Sequence, residues 1–211
     1  MISAVPTPLA PQDLLFGLQA TKTVRRYVGE WDLTLAPGGG SPSVRVLWSF
    51  TEAFGTWATF TSVAALGSDG QRAWDGSTPA DRWLAELPGP VYGFEGVLDL
   101  DLSWTDGNGR SGVGRFPDAA DLLFDREAAT ATLTIWPNVF SDEIYLYRPE
   151  GRDRVDRRPV PFAPAAAANR AQLRSSLRRW ADGSGGEITA WESELLTGVE
   201  QWGFDADCTL R

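Results

Sequence analysis

The chain has no histidine, one cysteine, one methionine and one lysine. Each shortage removes chemistry. Without histidine there is no Ser-His-Asp or Cys-His nucleophile system, no HExxH site, no histidine-containing zinc site and no histidine-ligated haem. Cys208 stands alone near the end of the 211 residues, so an intrachain disulfide or a CxxC site is impossible and an unreactive thiol is expected. No run approaches the roughly 18 uninterrupted apolar residues of a membrane-spanning helix, so no membrane span is expected. Positive charge is short too: 19 Lys and Arg face 28 Asp and Glu, a net charge of −9. A surface of that sign disfavours phosphate backbones, so no nucleic-acid partner is expected. No GxGxxG follows a strand and no GxxxxGK occurs, and Gly38-Gly39-Gly40 reads as a flexible hairpin loop. Met1–Gln12 lacks a cationic start and carries Pro6, Pro8 and Pro11. It makes a poor secretory signal, and a cytoplasmic location is expected.

Tryptophan, by contrast, is abundant. Ten are spread from Trp31 to Trp202, which favours a wide aromatic core over a single local motif. Arginine outnumbers lysine heavily, and Ala, Gly and Pro are frequent. That bias matches GC-rich coding of a bacterial type.

The hydrophobic pattern predicts a mainly β, α+β chain: an antiparallel meander sheet or barrel of about eight strands, an N-terminal helix and two C-terminal helices. After an extended arm, Pro11–Tyr27 has helical spacing through Leu14, Leu15 and Leu18, and Gly29 stops it. The period then becomes two. Trp31, Leu33 and Leu35 share a face. Val44, Val46, Trp48 and Phe50 read as the next strand, hairpin-paired with Trp57–Leu66. Val97–Trp104 alternates Leu98, Leu100, Leu102 and Trp104 with Asp99, Asp101 and Ser103, then turns at Asp106-Gly107-Asn108-Gly109. Val113–Phe116, Ala131–Trp136 and Glu143–Arg148 follow, the last two paired through Pro137-Asn138, with shorter candidates near Arg72, Trp83 and Leu123. Residues 1–150 are expected to form the β domain.

Residues 151–211 are expected to be a surface linker and a helical appendage. Glu150–Pro164 reads as the linker. Asn169–Trp180 reads as a helix capped by Asn169, with Arg170, Arg174 and Arg178 in a stripe that could pack beside the glutamate-rich C-terminal helix or bind an acidic partner or phosphate. A second helix is expected from Ile188 through Trp191, Leu195 and Val199. Residues 148–179 carry a net charge of +6, and the rest of the chain carries −15.

Candidate chemistry is sparse. Asp99 and Asp101 sit about 7 Å apart on one strand face, a spacing that suits divided acid and base work but lies opposite the leucines, on the solvent side. The Asp106–Gly109 turn begins like a calcium loop, yet Arg110 and Pro117 occupy ligand positions. Asp118, Asp121 and Asp125 match no strict metal spacing. No metal and no cofactor are expected.

One arrangement resembles a known family. A helix leads into Gly29-Glu30-Trp31, antiparallel strands follow, and a late strand ends in Tyr147-Arg148. This resembles the calycins, the lipocalin-like β-barrels. The resemblance implies that Trp31 closes a barrel end and that Arg148 packs across its ring by cation–π attraction. It further implies an aromatic-lined cup. The first functional expectation is therefore a non-catalytic binder of a hydrophobic small molecule, lined by Trp48, Phe50, Trp57, Leu100 and Trp104. The second is an acidic interaction protein for a basic protein partner, such as a toxin-neutralising protein or a component of a phage assembly. The third is a cofactor-free cyclase or isomerase of calycin type that acts by holding its substrate, with Tyr92, Tyr145, Glu95 and Glu143 as its polar groups.

Overall fold

The structure is a computed structural model. It describes residues 7–38, 40–150 and 154–211, with the side chains of 145–150 and 154–159 left out of that description. The chain is mainly β. In order, its elements are α1 (Gln12–Thr23), β1 (Gly29–Leu35), α2 (Pro42–Phe54), β2 (Ala58–Gly67), β3 (Gly70–Ala73), α3 (Ala80–Glu86), β4 (Val91–Thr105) and β5 (Ser111–Asp125). There follow β6 (Thr130–Ile135), β7 (Glu143–Glu150), β8 (Arg154–Pro161), α4 (Ala163–Ser184), β9 (Gly186–Glu192), β10 (Val199–Glu200) and β11 (Gly203–Phe204).

Seven strands form one antiparallel sheet in the order β3-β2-β4-β5-β6-β1-β9. Strands β3 and β9 are its two edges and do not pair, so the sheet is open and no barrel closes. The N-terminal arm extends it locally: Leu9 bridges Arg115 in parallel beside β5.

Sheet strands follow from period two. Along β1 the buried Trp31, Leu33 and Leu35 alternate with half-exposed Glu30, Asp32 and Thr34. Leu98, Leu100 and Leu102 of β4 are buried in the same way.

Several expectations are corrected. Residues 44–50 form a helix, not a strand. Ser41 precedes Pro42 at the first helical position, where a fixed φ and a missing N–H cost nothing. Val46, Leu47, Phe50, Ala53 and Phe54 then fall on one buried face at three- and four-residue steps. Val46, Trp48 and Phe50 fit period two only by coincidence: Phe50 is 1% exposed and Trp48 is 49% exposed. Consequently β2 pairs with β3 and β4 instead. Trp83, likewise, lies in the helix α3.

The segment after residue 150 departs furthest from expectation. Its linker contains β8, which pairs with β7, so β7 does not pair with β6. One C-terminal helix forms rather than two. It begins at Ala163, and Asn169 is therefore not a cap but an interior residue. Gly185, at φ 64°, ends α4 by donating to the Ala181 and Asp182 carbonyls. That turn sends Gly186–Glu192 back along β1 as an edge strand, placing Ile188 beside Leu33. The unpaired backbone edge of β1 outweighs the helical spacing of Ile188, Trp191 and Leu195, because each buried N–H and C=O needs a partner. The C-terminal segment is thus part of the central sheet.

Helices α2 and α4 cover one sheet face. The Trp180 ring meets Phe50 and Phe54 edge-on at 5.5 and 6.2 Å between centroids. Trp57 Nε1 donates to Ser176 Oγ, which donates to the Ala53 carbonyl. Asn169, fully buried, bridges to the Ser103 N–H and carbonyl and to the Val139 carbonyl.

Phe50→Ala should lower the unfolding free energy by about 3–5 kcal/mol, the usual cost of emptying a buried aromatic site. Trp48→Ala should cost under about 1 kcal/mol, as exposed positions do. Urea unfolding followed by circular dichroism checks the pair. Equal losses would contradict the helical placement.

Candidate functional site

The sheet face turned away from α2 and α4 is the most distinctive surface of the protein. Register places its residues in three rows that cross six strands. One row runs Ser62, Val97, Asp121, Thr134, Glu30 and Glu192. The next runs Ala64, Glu95, Leu123, Thr132, Asp32 and Ala190. The third runs Leu66, Gly93, Asp125, Thr130, Thr34 and Glu187. None of these positions is buried. Seven are acidic and none is basic.

The carboxylates are held by neutral donors. Thr132 Oγ1 donates to Asp32 at 2.6 Å, and Thr134 Oγ1 donates to Glu30 at 2.9 Å. Trp136 Nε1 donates to Asp121 at 2.7 Å, and the Tyr27 hydroxyl donates to Glu192 at 2.5 Å. Among the described residues, no Arg or Lys forms an ion pair with any of the seven acids.

Electrostatics records the crowding. Burial raises the Glu30 pKa, the Thr134 hydroxyl lowers it, and the neighbouring carboxylates Asp32, Glu192 and Glu194 raise it again, leaving it above the ordinary value. Burial and the hydrogen bond to Glu192 raise the Tyr27 phenol. Glu30 and Glu192 lie directly opposite each other on paired strands, an arrangement of like charges that costs stability.

Lower on β4 the acids behave differently. Burial works against the Asp101 carboxylate, but the Arg115 guanidinium and the Thr7 hydroxyl outweigh it and hold its pKa down. Asp99 accepts from the Asp118 N–H at 2.9 Å. These two carboxylates are structural anchors, not an acid–base pair. Among the described residues, no group of three or more acids or thiols is arranged around a metal position.

The pocket expected from sequence does not assemble. Phe50, Trp57 and Leu100 are buried in the core, Trp48 is on the outside of α2, and only Trp104 borders a cleft. That cleft, of about 710 Å³, lies between the β4–β5 turn and the start of α4, with Val160, Pro161 and Pro164 on its other wall. The Trp104 indole lies over Gly112, where a Cβ would come within 3.1 Å of the ring.

Trp31 closes no barrel. It is fully buried, meets Phe204 edge-on at 5.4 Å and donates from Nε1 to the Glu200 carbonyl at 2.9 Å. Arg148 is on β7, and its side chain lies outside the described residues.

Of the arginine stripe only Arg170 is buried; Arg174 is half-buried and Arg178 is exposed. Arg170 is buried and bonds the Phe140 carbonyl and Asp142; beside it the buried Cys208 thiol donates to the same Phe140 carbonyl. Arg174 donates to the Phe204 carbonyl, and Arg178 lies over the Trp202 ring. These cations fasten the C-terminal segment to α4.

Tyr92 and Glu95, which the cyclase reading singled out, line a second depression of about 770 Å³. Glu143 is on β7, and the Tyr145 side chain lies outside the described residues.

The fold thus defines an open, one-sidedly covered antiparallel α+β sheet protein. No protein-family model matches the chain, and comparison with curated proteins and with solved structures gives no significant match.

The raised Glu30 pKa carries a sign. The folded state holds that proton more tightly than the unfolded chain, so this carboxyl favours folding in acid and loses that contribution as pH rises through its raised pKa. Glu30→Gln should therefore raise the thermal midpoint at neutral pH, with the gain vanishing toward acid pH. A midpoint that falls at neutral pH would contradict the like-charge reading.

Proposed function

We propose that this protein is a non-catalytic interaction protein whose uncovered sheet face receives a basic protein partner. The observation that carries this reading is the three-row face itself: seven carboxylates and no base at its row positions and, among the described residues, no covering element on an otherwise well-packed sheet. Concentrating like charge on one face costs folding stability, and an oppositely charged partner offsets that cost on binding. Such a face also accelerates association with a cationic surface. The side chains that hold the carboxylates are neutral, so the face keeps its charge.

Charge reversal tests the reading. Once a partner is captured from the native host, Asp32→Lys and Asp121→Lys should each slow its association by roughly tenfold at low salt, with little change at high salt. Glu52→Lys and Asp182→Lys, on the opposite helical layer, should leave the rate nearly unchanged. Stopped-flow measurements check this. Equal effects on both faces would sink the proposal.

A second reading rests on the Trp104 cleft. Its volume lies within the range of about 300–1,000 Å³ usual for small-molecule pockets, and its walls join an indole to prolines and a glycine floor. A hydrophobic ligand bound there should quench intrinsic fluorescence in the parent protein and not in Trp104→Leu. Quenching that survives the substitution would place the ligand elsewhere.

A further inference from the structure

The acidic face is not uniformly polar. At one end, Leu66, Tyr92 and Leu123 are 53%, 46% and 51% exposed and share the 770 Å³ depression. Single exposed apolar residues are ordinary, but a contiguous group with a polar rim marks a binding surface.

Register explains why a hollow forms here. Gly93 stands between Leu66 and Asp125 in the third row and contributes no side chain. The gap is fixed by the backbone, because a Cβ at Gly93 would stand 2.8 Å from the Phe124 carbonyl oxygen. The Arg126 guanidinium lies 5.9 Å from the centroid of the Tyr92 ring. Glu95, Asp125 and Glu127 border the hollow. The result is an apolar floor whose rim holds three carboxylates and the Arg126 guanidinium, continuous with the acidic rows.

We infer that this depression is the anchoring subsite of the interface, taking one aromatic or large aliphatic side chain of the basic partner with arginine or lysine close by in the partner's chain. The inference rests on the acidic-face reading and adds what that reading lacks. Charge steers encounter and sets orientation, while a desolvated apolar anchor inside a polar rim supplies most of the lasting affinity. The rim carboxylates select cations beside the anchor, and an acidic neighbour would be repelled.

Two synthetic peptides of equal charge test it: acetyl-Arg-Gly-Trp-Gly-Arg-amide, and the same sequence with Gly in place of Trp. Binding is followed by amide and methyl NMR. The tryptophan peptide should bind about tenfold more tightly, as burial of one large side chain allows, and should shift the Leu66 and Leu123 methyls. Leu123→Asn, at an exposed position, should remove that advantage while leaving the affinity for the glycine peptide unchanged. Asp32→Asn should weaken both peptides alike. If both peptides bind the acidic rows equally, or if Leu123→Asn has no effect, the subsite is overturned and the acidic-face reading stands. If the tryptophan peptide shifts the Trp104 cleft instead, the subsite is again overturned. If neither peptide perturbs the face, both readings fail.

Discussion

The edge-on contacts of Trp180 with Phe50 and Phe54 bind α2 and α4 into one layer, and that layer covers a single face of the sheet. Aromatic rings of this size bury a large area and prefer this T-shaped arrangement. Once they are packed, Trp57 and the fully buried Asn169 complete the joint by hydrogen bonds to Ser176 and to the Ser103 backbone. Among the described residues, no comparable apolar layer covers the opposite face. Its rows are rich in threonines and carboxylates, and none of their positions is buried.

This one-sidedness decides where function can reside. A closed barrel would have placed the aromatic residues around a cavity. An open sheet with helices on one side uses them as filling, and the free face carries the carboxylate rows. Two aspects of that chemistry work together. In the proposed interface the carboxylate rows would act over several ångströms and set the sign of a partner. The hollow at Leu66, Tyr92 and Leu123 acts at contact and would set its shape. The Glu30–Glu192 pairing shows that the charged face is maintained against its own electrostatic cost.

A small part of this surface was legible in the sequence. The alternation of Asp32 and Thr34 with Trp31, Leu33 and Leu35 assigned one side of β1 to water, and the alternation in β4 did the same for Asp99, Asp101 and Ser103, but Glu95 and Val97 were not placed on that side. What the sequence did not reveal is that β1 lies beside β6, which unites Asp32 with Thr132 and Leu123 in one row. Residues 44–50 were misread because Val46, Trp48 and Phe50 satisfy period two while Val46, Leu47, Phe50 and Phe54 satisfy the helical period. Over so short a window the two patterns overlap, and the start at Ser41-Pro42 is the local signal that separates them. The arginine stripe was found at the right spacing, but what each arginine meets was not legible, because helical spacing shows which residues share a side and not what lies opposite.

The sequence by itself determined the elements with long, unbroken periodicity: α1, β1, the central part of β4, β6 and the middle of α4, together with an acidic, histidine-free chemistry. Tertiary structure alone decided strand order, the return of residues 186–192 along β1, and the choice of which aromatic residues are core and which are surface. The reason is physical. Periodicity is a property of neighbours a few residues apart, whereas the pairing of a sheet edge and the covering of a face depend on segments more than a hundred residues away, whose backbone groups and apolar surfaces must be satisfied by whatever the fold brings to them.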